Sequence, residues 1–150
     1  MTTTVQTRDE AQIRQLIADE QTAMRDRDAD RLLARFAADA VKFDLAPPLR
    51  HTGPEVHDVA GLRQWFAGFA GPVELEIRDL QLTIGADLAY GHSLNCLSAT
   101  PVGSAEGFAL WFRSTVCLRK LDGTWRITHE HTSTPFYMDG TFRAATDLQP

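Results

Sequence analysis

A chain of 150 residues with 20 acidic and 15 basic side chains has the length of one domain with one hydrophobic core. Its net charge of −5, with the basic residues scattered, argues against nucleic acid or an anionic membrane as partner. The polar start of the chain does not resemble a signal peptide, and the two cysteines, Cys96 and Cys117, lack metal or redox spacing. We therefore expect a cytoplasmic protein of one domain spanning residues 1–150, with reduced thiols and a small molecule or another protein as partner.

The first third of the chain predicts two helices. Thr7 and Glu10 have the spacing of a capping box, and the apolar residues behind them recur at helical intervals. This pattern predicts a first helix from about Arg8 to Arg25. Asp28 or Asp30 then caps a second, shorter helix. The apolar side of that helix consists of Leu32, Leu33 and Phe36.

A strand and a third helix come next. Val41 to Leu45 has the composition of a strand, which Pro47-Pro48 would stop. Asp58 is placed to cap a third helix. An apolar stripe at helical spacing follows this cap and predicts the buried side of the helix. The stripe consists of Leu62, Trp65, Phe66 and Phe69.

From Pro72 onward the apolar residues alternate with polar ones, as in strands. We expect strands from Val73 to Ile84 and from Leu88 to Ser98, and a final hairpin of Phe108 to Lys120 with Thr124 to Thr134. Helices followed by mostly antiparallel strands indicate an α+β fold, with the helices covering one face of a curved sheet. A pocket would lie between these two layers.

The face that the last strand turns to the core depends on its hairpin turn, since a shift of one residue moves every side chain to the other face. A two-residue turn, Asp122-Gly123, would place Trp125, Ile127, His129 and His131 beside the core. A three-residue turn that includes Leu121 would instead turn Glu130 and Thr132 inward. Both alternatives stay open. If Trp125 and Ile127 lie outside, that face is too apolar for water and should be buried in a dimer.

Three segments give the chain a resemblance to a known superfamily, and this resemblance covers nearly all of the chain. They are Leu32 to Asp44 (LLARFAADAVKFD), His51-Thr52-Gly53 and Arg119 to Ser133 (RKLDGTWRITHEHTS). The chain resembles the nuclear transport factor 2-like, or cystatin-like, proteins, and among them the ketosteroid-isomerase-like and SnoaL-like, polyketide-cyclase-like members. The last segment is also similar to the association domain of calmodulin-dependent kinase. The resemblance implies a cone-shaped fold with three N-terminal helices packed on a curved, mostly antiparallel sheet. Such scaffolds host isomerases, cyclases, hydratases, epoxide hydrolases and non-catalytic modules.

The resemblance also implies roles for two carboxylates. Asp44 falls at the position of the general base of the isomerases. Glu20 falls at the position of their oxyanion-binding tyrosine, and their second oxyanion acid falls near Thr115 or Val116. From the residues alone, Asp44 also fits an exposed carboxylate at a strand end, and Glu20 fits a long side chain at the edge of the helix stripe.

Other candidates come from side chains that share a face with these positions. Tyr90 and His92 lie on a strand face that lines the pocket in the isomerases, and a histidine there fits a proton shuttle or a hydrogen bond within the wall. The resemblance to the isomerases implies that Trp65 and Phe66 flank the pocket mouth, although such a pair is more often helix-to-sheet core. The resemblance places Glu130 on the pocket side.

Arg113 and the last-strand histidines complete the candidates. Arg113 either pairs with a carboxylate such as Glu130 or binds an anionic group of the substrate. His129 and His131 point to one side of their strand as two metal ligands would, but a site needs a third ligand. We expect no metal and no cofactor.

Taken together, the sequence predicts that a small hydrophobic or polycyclic molecule binds in the pocket. The reaction expected there is cofactor-free acid/base proton transfer, isomerase-like or cyclase-like, with Asp44 as base and His92, Tyr90 or Glu20 as donor or relay. The alternative is a non-catalytic ligand-binding or dimeric assembly module, and in either case a homodimer through the sheet is expected. The predicted substrate-binding residues are Trp65, Phe66, Tyr90, Arg113, Glu130 and His131.

Overall fold

The structure is a computed structural model that describes the backbone of residues 2–150 and the side chains of residues 4–150. Helices pack on a six-stranded sheet with the order β2-β1-β6-β5-β4-β3. All neighbouring strands are antiparallel except β1 and β6, which are parallel. The predicted α+β fold with a mostly antiparallel sheet is therefore confirmed. The helices are α1 (Thr2–Arg25), α2 (Ala29–Leu33), a short 3-10 helix (Gly53–His57) and α3 (Val59–Ala67). The strands are β1 (Phe36–Phe43), β2 (His51–Thr52), β3 (Phe69–Ile84), β4 (Leu88–Pro101), β5 (Phe108–Leu121) and β6 (Thr124–Ser133).

Two of the predicted caps are present and one is not. Asp28 accepts a hydrogen bond from the Arg31 amide at 3.0 Å, and Asp58 accepts one from the Gly61 amide at 3.0 Å. These bonds satisfy amides that a helix start would otherwise leave unpaired. Thr7 does not cap α1, because the helix already begins at Thr2.

The first strand starts earlier than its composition predicts. Phe36 was expected on the second helix, but it opens β1 and pairs with Ile127 of β6. The Ile127 amide also donates to the Arg35 carbonyl at 2.9 Å. Pairing with a strand about ninety residues further along the chain therefore overrides the local helical pattern.

A β-bulge in β6 resolves the question of which face the last strand presents. Leu121 pairs with Thr124, so the turn has two residues, and both Asp122 (φ 50) and Gly123 (φ 80) have positive φ. This is the backbone that a tight hairpin requires. Further along, Leu118 pairs with Ile127 but Cys117 pairs with His129, which leaves Thr128 as an extra residue.

The extra residue reverses the alternation of side chains beyond it. Before the bulge, Trp125 and Ile127 point to the core and are 2% and 0% exposed. After it, Glu130 points inward, while His129 and His131 lie opposite Cys117 and Thr115 on the outer face. Each of the two alternatives is thus correct for half of the strand. The condition under which Trp125 and Ile127 would be buried in a dimer is not met, since both lie inside.

The core consists of two clusters of buried residues. In the first, Ile13 and Ile17 of α1 pack against the inner face of β5 and β6, including Leu118 and Trp125. The second joins Phe66 of α3 to the start of β3, with Leu32 of α2 among its members. No helix within residues 2–150 is long and apolar enough to cross a membrane.

Candidate functional site

A cavity of about 460 Å³ lies between the sheet and the helices, and we call it the inner cavity. This volume is within the range of small-molecule sites, roughly 300–1,000 Å³. Three aromatic rings of its wall are adjacent: Trp65 lies 4.9 Å from Phe69, and Phe69 lies 6.1 Å from Phe108 between ring centroids. The remaining apolar wall consists of Met24, Leu32, Leu33, Phe36, Leu45, Ala46, Leu62, Leu75, Leu97, Leu110 and Phe112. Most of the inner cavity thus suits an apolar ligand.

Several polar side chains from different elements also line the inner cavity. Arg35 precedes β1, Lys42 belongs to β1 and Asp44 follows it directly. The full polar set is Glu20, Arg35, Lys42, Asp44, Asn95, Ser114, Glu130 and Thr132. A few convergent polar groups in an apolar cavity are typical of a binding or active site.

Glu130 is the most deeply placed carboxyl of this set, with 7% of the residue exposed. Burial raises the pKa of the Glu130 carboxyl, and the negative charge of Glu20 raises it further, while Lys42 and Arg35 act in the opposite direction. The protonated form of Glu130 is therefore favoured relative to a carboxyl in water. A carboxylic acid held in this form can donate a hydrogen bond into the cavity.

Lys42 stands between two carboxyls. Its Nζ lies 3.6 Å from Oδ1 of Asp44 and 3.9 Å from Oε1 of Glu130. The register explains this arrangement, because Lys42 and Glu130 are direct partners in the parallel β1–β6 pair. Asp44 is more accessible, with 33% of its side chain exposed, and His51 Nε2 lies 3.5 Å from its Oδ2. The two carboxyls thus differ in burial while sharing one ammonium group.

Arg35 and Glu20 form a second ion pair at the cavity. The Nη1 of Arg35 lies 3.3 Å from Oε2 of Glu20, and both side chains are largely buried. The Nε of Arg35 donates to the Leu32 carbonyl at 3.1 Å, which fixes the guanidinium. Since a buried charge without a partner is costly, Glu20 is held at the cavity by this pair rather than extended to solvent.

The structure brings four of the predicted site residues to the inner cavity. They are Glu20, Trp65, Asp44 and Glu130. Phe66 is 3% exposed and belongs to the core rather than to the cavity wall. It was expected at the pocket mouth, but the α3 side chains that line the cavity are those of Leu62 and Trp65.

Tyr90 and His92 require a correction, since the resemblance placed them on the pocket face. The inward side chains of β4 are those that alternate with Tyr90 and His92. Among them, Asn95 lines the inner cavity. Both Tyr90 and His92 are exposed, and His92 pairs with Thr115 on the outer face. The period of two along a strand thus excludes them from this cavity.

Arg113 and His131 also lie outside the inner cavity. Arg113 is exposed and its Nε donates to Ser133 Oγ at 3.2 Å, so its partner is not Glu130. His131 lies on the outer side of β6 and lines a different cavity. The Nδ1 of His129 lies 2.7 Å from the Val41 carbonyl oxygen. Within residues 4–150, no three His, Cys, Asp or Glu side chains are grouped as metal ligands.

Four polar residues of the inner cavity were missed by sequence reasoning. Lys42 is two residues before Asp44, so strand alternation places both on one face and was a usable signal. The same alternation places Ser114 on one face of its strand with Val116. Arg35 gave no such signal, because it stands between a helix and a strand whose start the local pattern did not reveal. Predicting Asn95 at the cavity would have required knowing which face of β4 is turned inward.

Comparison with known proteins places this architecture in a family. Residues 13–137 match the SnoaL-like domain family. A protein of unknown function from Pseudomonas putida KT2440, described as NTF2-like, has a similar structure with a TM-score of 0.82 and 35% identity. That match covers 96% of this chain and 98% of the other. A search of the curated proteins found no significant match.

More distant structures share the fold. A candidate scytalone dehydratase from Novosphingobium aromaticivorans has a TM-score of 0.78 at 19% identity, covering 97% of this chain and 96% of the other. An NTF2-like protein with a cystatin-like fold from the same organism has a TM-score of 0.72 at 16% identity, covering 99% and 94%. At these identities the likeness concerns the fold alone. Because residues 13–137 match the family model and the Pseudomonas putida structure is 35% identical, the chain belongs to the SnoaL-like family and has the NTF2-like fold.

Proposed function

We propose that the protein binds a small hydrophobic or polycyclic molecule with a carbonyl group in the inner cavity and transfers a proton on it without a cofactor. Isomerases and cyclases carry out this type of reaction. The observation that carries the proposal is Glu130, a buried carboxyl with a raised pKa at the cavity wall, beside the ammonium group of Lys42. Perturbed carboxyls of this kind are characteristic of acid–base sites.

The charges around the inner cavity support a division of roles. Three carboxyls, those of Glu20, Asp44 and Glu130, face two cations, Arg35 and Lys42. A proton on Glu130 balances this set. We assign Glu130 as the donor to the carbonyl oxygen and Asp44, which is more accessible, as the base that removes a proton from the adjacent carbon.

The position of Glu130 in the sheet also supports this assignment. Glu130 pairs directly with Val116, which is near the position that the isomerase resemblance gives to a second oxyanion acid. The carboxyl therefore reaches the same region from the neighbouring strand. Lys42 would stabilise the negative charge that develops on the oxygen, and Glu20, held by Arg35, favours the protonated form of Glu130.

The test is proton exchange on a simple bicyclic ketone. With 2-tetralone in D₂O, we expect the wild-type protein to accelerate exchange of the protons next to the carbonyl, as followed by NMR. Asp44→Asn should lower the exchange rate by about 10²–10⁴-fold, the usual contribution of a general base, while retaining the ketone. Asp39→Asn is the matched control, since Asp39 is an exposed residue of β1 that does not line the inner cavity.

The donor role of Glu130 has its own variant pair. Glu130→Gln keeps a hydrogen-bond donor and should retain more exchange activity than Glu130→Leu, which has none. Equal rates in these two variants would contradict donation by Glu130. An Asp44→Asn rate equal to that of the Asp39→Asn control would contradict the base assignment.

A second candidate function is non-catalytic binding or assembly. The ion pairs Arg35–Glu20 and Lys42–Asp44 support it, because structural ion-pair networks also perturb carboxyl pKa values. In that case 2-tetralone would bind with no acceleration of exchange, and Asp44→Asn would leave its affinity nearly unchanged. The exchange experiment thus separates the two candidates.

A further inference from the structure

A second cavity of about 750 Å³ adjoins the inner cavity, and we call it the outer chamber. It lies between the loop that follows β1 and the chain segment 132–146. The two cavities have five wall residues in common. These shared residues are Asp44, Leu45, Ala46, Leu110 and Thr132. A molecule that passes these residues would therefore occupy both spaces.

The wall of the outer chamber exposes more apolar than polar surface, and its polar side chains are those of Asp44, His131, Thr132, Ser133, Thr134 and Thr146. Leu45, Pro47, Pro48, Leu49 and Ala144 supply carbon surface. Two of its hydroxyls already donate within the protein, Thr132 to the Phe43 carbonyl at 3.5 Å and Thr134 to the Trp111 carbonyl at 3.3 Å. Asp44 at the junction is the one carboxylate in this wall. Such a wall fits an uncharged, apolar group.

The segment that closes the outer chamber is held in place by its own contacts. Phe136 and Ala144 form a β-bridge, and the Ala145 amide donates to the Pro135 carbonyl at 2.7 Å. The Tyr137 hydroxyl donates to the Asp147 carboxylate, which lowers the pKa of Asp147 and raises that of Tyr137. Ala145 itself is 2% exposed. The chamber is thus bounded by ordered chain on this side.

We propose that the outer chamber is a second subsite for the same ligand and takes an uncharged apolar extension, an alkyl chain or a further ring. This proposal rests on the proposed function, in which the carbonyl group lies near Asp44, Lys42 and Glu130. Because Asp44 borders both cavities, the reacting carbon would lie at their junction. The substrate class is therefore an elongated ketone with an apolar group on each side of the carbonyl.

The experiment uses 2-naphthyl alkyl ketones with alkyl groups from methyl to hexyl, titrated into the full-length protein by calorimetry. We expect the affinity of the wild-type protein to rise about three- to fourfold for each methylene that enters the outer chamber. Ala144→Trp fills the chamber, and Leu49→Asp brings a charge to it at a residue that is 96% exposed. Both variants should remove the increase with chain length while leaving the affinity for the methyl ketone within about twofold.

The control is Ala11→Trp, which adds the same ring at an exposed position of α1 that lines neither cavity. It should retain the chain-length dependence. An affinity that is flat with chain length in the wild type, or an unchanged dependence in both variants, would overturn the second subsite while the proposed function stands. If the methyl ketone also fails to bind, the proposed function fails first. If Leu49→Asp converts a dimer into monomers in sedimentation, the chamber holds a second copy of the chain and the proposal is wrong.

Discussion

At the scale of single residues, Glu130 shows how the fold places a carboxyl with a raised pKa at the cavity wall. Its carboxyl is buried and lies near a second carboxyl, Glu20, and these two conditions raise its pKa despite Lys42 and Arg35. The folded state therefore binds a proton at Glu130 more tightly than the unfolded chain does. This contribution to stability is present at low pH and is lost as the pH rises through the raised pKa of the folded state.

Glu130→Gln should remove this pH dependence. Glutamine keeps the shape and a hydrogen-bond donor but carries no charge at any pH. We expect the free energy of unfolding of the wild type, relative to the variant, to decrease as the pH is raised from acidic to alkaline values. Urea denaturation of both proteins across that range measures it. A difference that is constant with pH would contradict the raised pKa.

A second buried carboxyl, Asp9, behaves in the opposite way. Its Oδ1 accepts hydrogen bonds from Lys120 Nζ at 2.9 Å and from Trp125 Nε1 at 3.1 Å, and these bonds lower the pKa of Asp9. Here the stabilisation is present at neutral pH and is lost as the pH falls through the lowered pKa.

Asp9→Asn should therefore destabilise the protein at pH 7 by about 1–3 kcal/mol, the usual cost of weakening a charge-assisted hydrogen bond in a buried site. The difference from the wild type should shrink below about pH 4, where the unfolded carboxyl is protonated as well. Thermal unfolding of both proteins at pH 7 and below about pH 4 measures this difference in stability. Asp26→Asn, at an exposed residue near the end of α1, is a control that should change stability little.

At the scale of elements, the bulge at Thr128 lets one strand serve two purposes. Trp125 and Ile127 complete the core before the bulge, and Glu130 lines the cavity after it. Without an extra residue, strand alternation would turn one of these two groups to the outer face. The bulge thus connects the requirements of packing with those of the site.

Deleting Thr128 should be severely destabilising for this reason. Either Trp125 and Ile127 leave the core, or Glu130 and Thr132 leave the cavity while the histidines turn inward. We expect a loss of at least about 3 kcal/mol, the scale of removing a large buried side chain. Deletion of Gly103, in the exposed loop after β4, is the matched control and should cost much less. Similar losses for the two deletions, measured by urea denaturation, would contradict the role of the bulge.

At the scale of the whole molecule, the outer face of the sheet remains the surface for the expected homodimer. Tyr90 is 50% exposed there, and Leu94 and Trp111 lie on the same side of β4 and β5. The guanidinium of Arg78 stacks on the Trp111 ring at 4.6 Å. A face with apolar and aromatic groups of this kind supports the proposal of self-association, now on residues other than Trp125 and Ile127.

Sedimentation should accordingly give twice the chain mass of 16.7 kDa. Leu94→Arg puts a second positive charge beside Arg113 on this face of each copy, and it should shift the protein to the monomer because burying these charges between two copies is costly. Val102→Arg is a control at an apolar residue that is 63% exposed in the loop after β4, away from this face. A wild type that sediments as a monomer would contradict the proposed dimer.

The residues themselves determined much of this molecule. The third helix with its Asp58 cap and the change to strand alternation after Pro72 were predicted because they depend on neighbouring positions. The family resemblance of the segment Leu32 to Asp44 led to Asp44, a carboxyl that does line the cavity. Glu20, Trp65 and Glu130 were predicted as site residues with it and also line the cavity.

Only the tertiary structure decided which face each strand presents and where the distant partners meet. Strand alternation has a period of two, so the single extra residue Thr128 reverses every side chain after it, and no local pattern marks such a residue. The resemblance placed Tyr90 and His92 on the pocket face, and only the pairing of β4 with its neighbours showed them on the outer one. The parallel pairing of β1 with β6, in which Phe36 lies opposite Ile127 and Lys42 lies opposite Glu130, joins segments that are far apart in the chain. This pairing brings Arg35 and Lys42 to the cavity.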